Sequence, residues 1–154
     1  MKRLLRKLGA LVLILLLLTG LAACSANADM YGTTVVVTGL DYDGTYTTAE
    51  DVAAYIFQYG ELPGNFMTKD EARELGWEGG GLDDYAYGMC IGGDKFGNYE
   101  GYLPEADGRR YFECDINTLH KEKRGAERIV YSNDGLIYYT PDHYETFELL
   151  YGEE

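Results

Sequence analysis

The stretch that decides the fold is "RIVYSNDGLIYYT" (Arg128–Thr140). Two runs of β-branched and aromatic residues flank Ser-Asn-Asp-Gly, and polar turn formers between two such runs predict an antiparallel hairpin. Further strands are predicted on either side: "MCIGGD" (89–94) and "RRYFECDI" (109–116) before it, "YETFELL" (144–150) after it. That makes five strands without intervening helical patterns, so the sheet should be antiparallel.

Upstream, the period changes. In "TTAEDVAAYIFQYG" (47–60), Thr47 and Glu50 have capping-box spacing, Val52, Tyr55, Ile56 and Tyr59 form one apolar stripe, and Gly60 stops the helix. "MTKDEARELGW" (67–77) repeats the pattern, with Thr68 as cap, Glu71 closing the box and Gly76 as the stop. A short helix is also predicted at "LDDYAY" (82–87). Helices followed by a run of strands give an α+β fold, with N-terminal helices packed on one face of a five-stranded antiparallel sheet.

The first residues read differently. A basic "MKRLLRKLG", an apolar "ALVLILLLLTG" and then "LAAC" form a signal peptide over residues 1–23. "LAAC" resembles a bacterial lipobox, which implies lipidation of Cys24 and a lipid anchor at the membrane. Residues 24–46 are then the lipidated N-terminus and a tether, with one β-prone patch, "TTVVVT", and residues 47–154 are the folded domain. The expected location is extracytoplasmic, either anchored to the cell membrane or secreted.

The leader takes four of the thirteen basic residues and none of the acidic ones. Nine basic residues then face 26 acidic ones, a formal charge of −17. Such a protein is no general coat for nucleic acid, because phosphate binding rests on Lys and Arg. A nucleic-acid site would have to be a local basic island. The densest positive stretch is "HKEKRGAER", holding Lys121, Lys123, Arg124 and Arg128. Lys69 stands in the first turn of a helix, an electrostatically poor place for a cation. No paired CxxC units exist, and no metal or cofactor is expected.

Alternation in "YFECDIN" sends Phe112, Cys114 and Ile116 to one side of the sheet and Tyr111, Glu113 and Asp115 to the other, wetter side. Glu113 should therefore point at solvent. His143 lies in a Pro-Asp-His-Tyr corner near another strand end, and a carboxylate with an imidazole across a sheet face can act as base and acid. Asp94 and Asp115 are expected to be structural, pairing with the arginines or with loop amides. His120 is expected to be solvated.

Taken in order, "LPGNFMTKDEARELGW", "IGGDKFGNYEGYLP", "GRRYFECDIN" and "RGAERIVYSNDGLIYYTPDHYETF" resemble the barnase-type bacterial ribonucleases of the microbial guanyl-specific superfamily, over residues 47 to about 150. The resemblance implies the microbial ribonuclease fold and a metal-independent endoribonuclease acting on single-stranded RNA, with guanine preferred. It implies Glu113 as general base on the ribose 2′-OH and His143 as general acid on the departing 5′-oxygen. Lys69, Arg124 and Arg128 would surround the phosphate, with Tyr144 lining that site. Glu100 would meet the guanine edge, within the loop of Asn98 and Tyr99.

A barstar-type inhibitor and a monomeric state are further expectations. The alternative is a catalytically weak lipoprotein module that binds RNA or protein on the same fold. Tyr99 stands where the family commonly has arginine, and the loop before Arg124 is one residue longer. Cys90 and Cys114 fall on the first two strands. They form either one disulfide or two buried thiols, and a bond fixing the strand of Glu113 is the expectation.

Overall fold

The computed structural model describes residues 39–153. Helix α1 spans Ala49–Tyr59 and α2 spans Lys69–Glu74. The strands are β1 (Phe66–Met67), β2 (Cys90–Phe96), β3 (Tyr111–Asp115), β4 (Arg128–Ser132), β5 (Ile137–Thr140) and β6 (Glu148–Tyr151). They form one sheet in the order β1-β2-β3-β4-β5-β6. The five strands from β2 to β6 pair antiparallel, and β1 adds a two-residue parallel edge to β2. The architecture is the expected α+β one, with β1 as an addition too short to show a period.

Both helices carry their caps. Thr48, one residue later than expected, accepts from Asp51 N at 3.2 Å, and Thr47 instead offers its carbonyl to Asn117 N. Gly60, at φ +76°, closes α1 by donating to Ile56 O, a left-handed position that glycine takes without strain. At α2 the capping box is complete, Thr68 and Glu71 exchanging backbone and side-chain bonds. "LDDYAY" amounts to a single turn, closed by Ala86 N on Leu82 O.

The sheet buries both faces. Against α1 lie Val52, Ala53 and Ile56 with Cys114, Ile116, Ile129 and Ile137. Each large aliphatic side chain there contributes about 1.5–3 kcal/mol by leaving water, against the entropy of ordering it. On the opposite face Tyr111, Val130 and Tyr138 pack with Leu103 and Leu136, flanked by Phe96, Tyr144 and Phe147. A third cluster of Ala72, Trp77, Leu82 and Ile91 seats α2 against β2. This second covered face overturns the expectation that Glu113 points at solvent: Glu113 is 8% exposed and Asp115 1%.

The "IGGD" run needs both glycines for different reasons. A Cβ on Gly92 would lie 2.5 Å from that of Cys114, and Gly93 sits at φ +94°. The register steps from Gly92↔Cys114 to Asp94↔Glu113, so Gly93 is the extra residue of a bulge. That step places two carboxylates side by side on adjacent strands.

The same register keeps the cysteines apart. Cys90 pairs with Phe66 and Cys114 with Gly92, and both are buried free thiols, so the expected disulfide is absent. Burial pushes the Cys114 thiol well above its ordinary range. Alkylation under denaturing, non-reducing conditions should label both Cys90 and Cys114. A peptide pair joined by mass would contradict this.

Residues 39–46 pack on the domain, where a tether had been expected. Tyr55 and Tyr59 donate to the carbonyls of Tyr42 and Leu40, and Asn65 brackets the backbone of Tyr46. The leader, Cys24 and "TTVVVT" lie outside the described residues.

Candidate active site

Glu113 is the centre. One carboxylate oxygen receives Lys69 Nζ at 2.5 Å, and the other receives the Tyr144 hydroxyl. Lys69 also donates its backbone N–H to Asp94, at 3.1 and 3.3 Å to the two oxygens. The unfavourable cation at the start of α2 thus has a local reason: its ammonium pairs with Glu113, while its backbone N–H holds Asp94. Tyr144 is held protonated, because burial first and the bond to Glu113 second raise its hydroxyl well above the usual phenol range.

Asp115, two residues on and on the same face, organises the arginines. Arg124 grips it with two hydrogen bonds of 2.6 and 2.7 Å, and this carboxylate raises the Arg124 pKa against the effect of burial. Arg128 Nε faces Asp115 Oδ1 at 2.9 Å, an ion pair off the axis of a hydrogen bond. Arg128 Nη1 turns instead to the carbonyls of Arg124, Gly125 and Glu127. The ring of Trp77 lies beneath Arg124, 5.8 Å from its guanidinium carbon. Nothing in the spacing of the sequence marks Trp77 for this role.

The longer loop therefore seats Arg124 beside Arg128. Gly81 N on Glu122 O and the 2.8 Å pair of His120 with Asp83 pin its far side. His120 is exposed, as expected, and pairs with Asp83 from that position.

His143 occupies a strained corner. It and Tyr144 sit at φ +60° and +75°, a region non-glycine residues rarely enter, at a cost of about 1–3 kcal/mol each. The corner is held by Asp142, which takes the Thr140 and Thr146 hydroxyls and the backbone N–H of Glu145 and Thr146. Tyr144 N bonds Thr140 Oγ1, and His143 N bonds Ala126 O, which ties the corner to the arginine loop. The exposed His143 ring lies 4.7 Å from that of Tyr144, and Tyr144 reaches Glu113. Both Asp142 oxygens are thus used within the turn.

These bonds, the Thr146 hydroxyl first, lower the Asp142 pKa. A depressed carboxyl stabilises the fold fully above its unfolded value near 4 and loses that contribution as acid titrates it. Asp142→Asn should therefore lower the melting midpoint at pH 7. The gap to the parent should close as pH falls below about 4, which thermal melts across pH would check.

The loop that follows β2 stands apart from this cluster. Asn98, at φ +45°, clasps residue 103 through both ends of its amide. Glu100 is exposed, and Tyr99 is 94% exposed. Phe96, at the end of β2, packs 5.2 Å from Tyr144 and so connects the loop to the catalytic face.

The family model for ribonucleases matches residues 36–151. The chain belongs to the ribonuclease family. A ribonuclease of Heyndrickxia coagulans is 50% identical over 102 residues, 65% of this chain and 93% of that protein. One of Bacillus intermedius is equally identical over the same length, 62% of that protein. Guanyl-specific ribonuclease St of Saccharopolyspora erythraea is 42% identical over 57 residues, 37% of this chain and 56% of that protein. Ribonuclease chemistry asks for a base, an acid and cations around a phosphate. Glu113, His143, Lys69, Arg124 and Arg128 are these residue types, gathered at one end of β3 to β5.

Proposed function

We propose an extracytoplasmic endoribonuclease that cleaves single-stranded RNA after guanine by transesterification. Glu113 takes the proton from the 2′-OH as that oxygen attacks the adjacent phosphorus. His143 protonates the departing 5′-oxygen, leaving a 2′,3′-cyclic phosphate that water then opens. DNA lacks the nucleophile. The observation that carries this reading is Glu113 fixed between Lys69 and Tyr144, with His143 beside Tyr144.

Lys69, Arg124 and Arg128 supply the charge that a developing phosphorane needs, from groups already oriented. The chemistry therefore runs without a metal ion, and chelator should leave the rate unchanged. Glu100 accepts the hydrogen bonds of the guanine edge, as the guanyl-specific name of the Saccharopolyspora relative suggests for its own site. Cys24 is the lipidation site of a monomer anchored outside the cytoplasm. A barstar-type inhibitor is its protein partner, steered less strongly than to a basic enzyme because this chain is itself acidic.

The test is cleavage of GpU against ApU, CpU and UpU across pH. GpU should be preferred, and its profile should be bell-shaped, because the base must be ionised and the acid protonated. His143→Ala should abolish the alkaline limb. An unchanged alkaline limb would remove His143 from the mechanism, and equal rates on the four dinucleotides would remove guanine preference.

A further inference from the structure

Behind the loop that follows β2 lies a second cleft of about 460 Å³, walled by Lys95, Phe96, Tyr99, Glu105, Arg109 and Arg110. None of Glu113, His143, Lys69, Arg124 or Arg128 lines it. It holds three of the nine basic residues left to a strongly acidic chain. Arg109 is committed to Asp134 at 2.8 Å and to Pro104 O. Lys95 and Arg110 are exposed, and among the described residues neither has a carboxylate within ion-pair distance.

The aromatic wall is also specific. A Cβ on Gly97 would lie 2.2 Å from the Tyr99 ring, so the missing side chain leaves room for the ring in this position. Tyr99 is 94% exposed, so its ring is open to a stacking base. A bare aromatic face beside two free cations is how single strands are held without base readout, by stacking and by phosphate contact. Glu105 is the one acidic wall, and it is exposed.

We infer that this cleft is a subsite for the nucleotide on the 5′ side of the cleaved residue, its phosphate between Lys95 and Arg110 and its base on Tyr99. The direction follows from position. The cleft adjoins the loop that would hold the base of the cleaved residue, through the shared Phe96, and lies away from the cations around the scissile phosphate. A nucleotide reaching it is attached to that residue, on the side opposite the leaving group. The inference rests on the proposed guanine-side role of the loop.

The test uses uncleavable 2′-deoxy oligonucleotides, d(GU), d(UGU) and d(GUU), titrated onto the intact protein by tyrosine and tryptophan fluorescence. d(UGU) should bind about tenfold more tightly than d(GU), while d(GUU) should not show this gain. The Lys95→Ala/Arg110→Ala double variant should lose the gain and leave d(GU) binding unchanged. No gain from the 5′ nucleotide, or a gain that survives in the double variant, would overturn the subsite. GpU left intact by the parent enzyme would instead overturn the guanine-side reading, while the binding comparison still judges the cleft.

Discussion

Glu113→Gln is expected to lower kcat/KM by about 10²–10⁴-fold, the range of a lost general base. The amide keeps the shape and can still accept the Tyr144 hydroxyl, so the site should stay assembled. What disappears is the basicity that the proposed proton transfer from the 2′-OH needs, and the charge opposite Lys69. Lys69 is about a quarter exposed, and its ammonium can turn to water when its partner is neutralised. The stability change should therefore stay within about 1 kcal/mol. Steady-state rates on RNA with parallel thermal melts would check both halves, and a rate within threefold of the parent would exclude Glu113 as the base.

Asp115→Ala is expected to have the largest effect on stability. Arg128 and Asp115 are almost wholly buried, and removing one side of such a pair leaves an uncompensated charge, at about 3–5 kcal/mol. Against a total of about 5–15 kcal/mol for a domain, that is a large share. Arg124 would lose both its hydrogen bonds, and the loop from 117 to 127 would lose its anchor on β3. Urea unfolding should show a lower midpoint with an unchanged slope. Asp115→Asn, which keeps the volume, should fold at low temperature and still cleave RNA more slowly, because neither guanidinium is then oriented. A parent-like midpoint and rate in Asp115→Asn would contradict this role.

Candidate site residues could be named from the sequence, and their environment could not. Alternation along "YFECDIN" correctly separates Glu113 from Cys114, since it needs only the two-residue period of a strand. It says nothing about what covers the far face. Leu103, Tyr144 and Phe147 do so, from loops distant in the chain. The disulfide expectation failed for a related reason: the bulge at Gly93 and the pairing of β1 set the register, and neither has a local pattern. Lys69 was legible as an anomaly because helix electrostatics are local, whereas its partner, Glu113 on β3, is brought to it only by the fold. The caps were legible to within one residue, Thr47 and Thr48 being chemically equal until the fold chose between them.

The tyrosine clamp on residues 39–46 also sets an orientation. It grips α1, which lies behind the sheet, whereas Glu113 and the arginines open in front. The segment that enters the domain is therefore fastened on the side of the sheet away from Glu113 and the arginines.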